Sequence, residues 1–212
     1  MIICTLIAGI ISFIAFLLGA FKFWKKEQPF YYQILICAAG CYALYQIIVC
    51  VMTFCKVNET TFNNSFFGLL ATNLLLLCSN FEILEKKNQS NKTVAFLSAF
   101  GATLTLGFII IVGIFYCGIT NFVFYMYLIA MLPMCLVVYI VLTRLLIKNE
   151  NKICKETKLT SLLTIVFCEL CIADIACWIN VSIISGIADL INSLVLLALI
   201  ISAFIEAKKW NF

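Results

Sequence analysis

The chain contains no histidine, and only 11% of its 212 residues are charged. The first absence removes several chemistries together: His-ligated zinc hydrolases, haem on a histidine axial ligand, His-based triads and histidine general bases. The second sets the chain apart from soluble proteins, in which about a quarter of residues are charged. Two prolines and no separable polar block leave no signature of a soluble domain, a disordered tail or a low-complexity linker. The sequence therefore reads as one polytopic domain over 1–212. No nucleophile stands beside a credible base in sequence, so neither an enzyme nor a cofactor or metal is expected.

What the chain does have is apolar surface, with 65% hydrophobic residues and a mean hydropathy of +1.13. A helix needs about 20 apolar residues to cross the hydrocarbon core of a bilayer. Seven runs meet or approach that length, at about 2–21, 31–53, 66–84, 94–116, 122–147, 159–181 and 189–207. They predict an all-α integral membrane protein, a bundle of seven transmembrane helices. Pro133 should kink the fifth span. Cys117 to Asn121 and Ser182 to Ala188 are expected as outer turns, the second around Gly186.

The basic residues report orientation. Lys22, Lys25 and Lys26, then Lys86, Lys87 and Lys92, then Arg144 to Lys158, then Lys208 and Lys209 all fall on one side of a seven-span path, and Lys56 is the exception. The positive-inside bias places the N-terminus outside and the C-terminus in the cytoplasm. The plasma membrane is the expected location. Because the net charge of +4 is parcelled into short loops, the expected partner is the lipid bilayer and not nucleic acid.

A faint repeat is also present. Ser79-Asn80-Phe81 precedes Lys86 and Lys87 in the third span, and Ser202-Ala203-Phe204 precedes Lys208 and Lys209 in the seventh. Helices one to three would then echo five to seven, with the fourth as a connector, although apolar helices that end in lysine resemble one another anyway.

The sixth span carries Glu169 and Asp174 within an apolar stretch that has no basic residue. An ionised carboxylate at bilayer centre costs roughly 2.5–3.5 kcal/mol on insertion scales, so such groups usually face a bundle interior or a wet cavity. The two lie about 140° apart around a helix axis and look toward different neighbours. Candidate partners are Asn73 on the third span, Asn192 and Ser193 on the seventh, and Tyr42, Tyr45 and Gln46 on the second. Their bland alternative is interhelical hydrogen bonding worth roughly 0.6 kcal/mol each.

Twelve cysteines read mainly as small buried hydrophobes. The row Cys168, Cys171, Asp174, Cys177 would suit a soft metal only if another helix completed the site, and a Cys55 to Cys117 bridge is conceivable. Glu82 with Lys86 and Glu206 with Lys209 read as ion pairs on the cytoplasmic rim.

Seven helices with an outside N-terminus suit receptors, opsins and sugar porters alike. A retinal protein needs a lysine within its last helix, and here lysine comes only after it. Loops of about a dozen residues leave no room for a separate sensory or catalytic domain. The first expectation is a carrier or binder of a small solute or ion within the bundle, with Glu169 and Asp174 as its polar centre. The second is a seven-helix sensor or accessory subunit, whose basic inner loops dock a cytoplasmic or membrane protein partner or anionic lipid.

Overall fold

The computed structural model describes residues 2–25, 30–55, 65–85, 92–117, 120, 122–146, 157–178 and 183–209. These form seven helices: α1 (Ile2–Lys25), α2 (Phe30–Phe54), α3 (Ser65–Glu85), α4 (Lys92–Cys117), α5 (Phe122–Leu146), α6 (Lys158–Trp178) and α7 (Ile183–Lys209). The described structure is all-helical. Five of the helices, α1, α2, α4, α5 and α7, are long and apolar enough to cross a membrane, while α3 contributes the shorter apolar stretch Phe67–Asn80.

One expected turn is helix instead. The segment around Gly186 is helical from Ile183 onward, so Asp189 lies inside α7 and not at its start. The physical reason is the medium: in an apolar environment an unbonded backbone group costs several kcal/mol. That outweighs the roughly 1 kcal/mol helix penalty of a glycine, and Ile183, Ile184 and Ile187 supply apolar side chains for the added turn. Pro133 lies within α5, which continues on both sides of it.

Six helices close a ring in the order α1, α2, α3, α5, α6, α7 and back to α1, while α4 packs outside it against α5 and α6. The ring follows chain order. The contacts α1 to α2, α2 to α3 and α3 to α5 are followed by α5 to α6, α6 to α7 and α7 to α1. Ser79 donates to the Leu76 carbonyl and Ser202 to the Leu199 carbonyl, each at 2.9 Å. For description, the ring divides into the three-helix segments α1–α3 and α5–α7, called halves below, with α4 between them in sequence.

The centre of the ring is filled. Tyr42 of α2 meets Phe167 of α6 edge-on, with ring centroids 5.2 Å apart, and both are fully buried beside Leu76, Met131, Met134, Ile172 and Leu199. Outward faces are apolar too, with Ile3, Leu6 and Leu17 on α1 and Phe96, Phe100, Leu104 and Phe115 on α4 all exposed. A surface of that kind exceeds what a soluble monomer shows and matches contact with lipid.

Candidate functional site

A buried polar group occupies the seam where the N-terminal parts of α1 and α7 meet the C-terminal part of α2. Asp189 of α7 is 0% exposed. One of its carboxylate oxygens accepts a hydrogen bond from Gln46 Nε2 of α2 at 3.0 Å, and the other accepts from Thr5 Oγ1 of α1 at 3.3 Å. Gln46 Nε2 also donates to the Tyr42 hydroxyl at 2.8 Å. Helical spacing extends the group by one turn: Ser193 donates to the Asp189 carbonyl at 2.8 Å and accepts from Ser12 Oγ of α1 at 2.9 Å. Thr5, Ser12, Gln46, Asn192 and Ser193 are all fully buried.

Because α1 and α2 belong to one half and α7 to the other, every bond from Asp189 to Thr5 and Gln46 crosses between halves. This placement matters chemically. A carboxylate held by donors from the opposite half senses their relative position, since hydrogen bonds weaken steeply with distance and angle.

A second polar layer closes the other end of the bundle. Arg144 in the last turn of α5 is buried, donating to the Asn80 side-chain and backbone oxygens of α3 at 2.9 and 3.2 Å and to Ser161 Oγ of α6 at 3.2 Å. Glu206 of α7 is buried as well and caps α6, accepting from the Thr160 backbone N–H at 3.2 Å and from the Thr160 hydroxyl. The first N–H groups of a helix lack internal partners and carry its positive end, so a carboxylate there satisfies both needs. Lys209, the rim partner expected for Glu206, lies by its side chain outside the described residues. Glu82 lies, by its side chain, outside the described residues.

Of the residues expected to form the site, Gln46 joins Asp189. Asn192 stands one turn along α7 and donates to Cys171 Sγ of α6 at 3.0 Å. Asn73 is fully buried and donates to the Ala130 carbonyl of α5 at 2.6 Å, a helix-to-helix bond between the halves. Tyr45 is buried against Tyr42, with centroids 5.7 Å apart. Glu169 goes elsewhere: it is half-buried on α6 and accepts from Thr105 Oγ1 of α4 at 2.8 Å, on the connector side of the ring. The side chain of Asp174 lies outside the described residues.

Asp189 is the group that sequence reasoning passed over, because it stood at the edge of a predicted turn, where an acid is unremarked. The available signal was the apolar run Ile183 to Ala188, which could have carried the helix past it. Cys55 is a free thiol, so the conceived bridge to Cys117 is not formed. Cys168 and Cys171 are buried, whereas Cys37, Cys55 and Cys78 are exposed, and no cluster of three metal-ligating side chains occurs among the described residues. Between α1 and α2 an apolar groove of about 250 Å³, lined by Leu6, Ile10, Phe13, Ile47 and Val51, faces outward. No protein-family model, curated protein or solved structure matches this chain.

Proposed function

We propose that the protein is a carrier, moving a small solute or ion across the plasma membrane by rocking of its two three-helix halves about a polar seam. The observation that carries this reading is the fully buried Asp189, bonded at 3.0 and 3.3 Å to donors from the opposite half. Ionisable side chains at membrane depth are costly and usually mark a pathway. Internal repeats with the binding site at their interface are the common plan of secondary transporters. In this reading all seven helices span, the N-terminus is outside, and the closed packing of the ring is an occluded state.

Asp189 holds the transported species or its coupling ion, and Gln46 and Thr5 hold Asp189. No catalytic step is assigned, in keeping with a chain that has no histidine. The test is flux in proteoliposomes against panels of small solutes and ions. Uptake by the native chain that Asp189→Asn abolishes supports the carrier; absence of flux for every solute in the native chain removes it.

A second reading has its own observation. The aromatic filling of the ring at Tyr42 and Phe167 is what an accessory subunit or sensor needs, since such a protein acts through a partner and not through a pore. Co-purification of one stoichiometric membrane or cytoplasmic protein, together with no flux, would favour it.

A further inference from the structure

The buried seam leaves an amide oxygen without a donor. Gln46 Oε1 and Asn192 Oδ1 lie in fully buried side chains and have no hydrogen-bond partner among the described residues. Gln46 meets Asp189 through its own amide nitrogen, while Asn192, at i+3 on α7, directs its amide nitrogen to Cys171 of α6. Buried carbonyl oxygens are almost always satisfied, so the Gln46 orphan on a side chain that meets the Asp189 carboxylate requires an explanation.

We propose that this seam binds a small monovalent cation, sodium in preference to potassium, on oxygens of Asp189, Gln46 and Thr5. The inference rests on the carrier reading for its purpose, as the coupling ion, but on the unpartnered Gln46 oxygen beside Asp189 for its chemistry. Hard cations take oxygen ligands, and one carboxylate matches one positive charge where a divalent ion would leave an excess. A half-turn of the Gln46 amide exchanges its two ends, bringing Oε1 to the position from which Nε2 now meets Asp189 Oδ1 at 3.0 Å. Two oxygens at that separation repel unless a cation lies against both. The Tyr42 hydroxyl, which accepts from Gln46 at 2.8 Å, can turn and donate to the same carbonyl, because a hydroxyl does either.

Size sets the preference. Thr5, Gln46, Asp189, Asn192 and Ser193 are each 0% exposed, so the packed seam favours the smaller ion. Position sets the consequence. Asp189 comes from one half and Gln46 and Thr5 from the other, so the ion clamps the halves together, and its release frees them.

The experiment is thermal unfolding of the full chain in lipid nanodiscs in sodium, potassium or N-methylglucamine chloride, at one pH and equal ionic strength, with direct binding of radioactive sodium alongside. The expected result is a melting temperature that rises saturably with sodium only, and sodium binding that is lost in Asp189→Asn. Equal melting in all three salts with no bound sodium overturns the proposal, as does an Asp189→Asn chain that keeps the sodium response. A melting temperature that follows pH and ignores sodium gives the seam to a proton, which overturns this inference and leaves the carrier reading standing. Sodium binding without flux of any solute does the reverse.

Discussion

Gln46 and Asp189 stand 143 positions apart in sequence and 3.0 Å apart in space, an amide donating to a carboxylate at the junction of three helices. Nothing local to either residue foretells the other. The bond ties the two ends of the chain into one seam, and its strength is open to measurement.

Replacing Gln46 by Leu should cost about 1.5–3 kcal/mol, the usual loss when a buried charged group is deprived of a donor. The double variant with Asp189→Leu should recover part of that, because both polar partners are then gone. A double-mutant cycle from denaturant unfolding in detergent reads the coupling directly. Strict additivity would mean that the bond contributes nothing.

Glu169 and Asp189 should separate in function. Glu169→Gln keeps an acceptor for Thr105, bonded at 2.8 Å at the edge of the ring, so flux should change less than twofold. Asp189→Asn should abolish it. The opposite ranking in proteoliposomes would return the working site to α6.

Arg144→Lys should be a poor substitute. Arginine reaches Asn80 through one nitrogen and Ser161 through the other, a fork that one ammonium does not reproduce. The melting temperature should drop despite the retained charge, and a native-like value would show that charge alone suffices there.

Capping of α6 by Glu206 makes a local prediction. Glu206→Ala should cost about 1 kcal/mol through loss of the charge at the helix start and accelerate hydrogen exchange at the first-turn amides that include Thr160. Amides of α3 should be unaffected. Uniform acceleration across the bundle would point to global loosening.

Two glycines of α4 should behave oppositely. A Cβ on Gly113 would lie 2.8 Å from Phe124 Cε2 and 3.1 Å from Tyr127 Cδ1, whereas one on Gly107 would meet nothing within 4 Å. Gly113→Ala should therefore destabilise by about 1–3 kcal/mol through overpacking. Gly107→Ala should be neutral or stabilising, since alanine is the better helix former. Parallel thermal melts compare the two, and equal effects would contradict the packing of α4 on α5.

Much of the fold was legible from the chain alone, because its causes are local. An apolar run of span length must become a helix when its backbone has no water to bond, and that rule holds for each run regardless of its neighbours. The error at Gly186 came from reading a glycine by its habits in water.

The partners of the polar residues were decided only by tertiary structure. Glu169 and Gln46 were both visible as polar groups in apolar spans, yet the first bonds Thr105 on the connector and the second bonds Asp189 at the seam. Which way a side chain points follows from the rotation of its helix, and which helix it meets follows from the order of packing. Both are set by how apolar faces fit together across the whole bundle, and a linear pattern of hydrophobicity does not contain that fit.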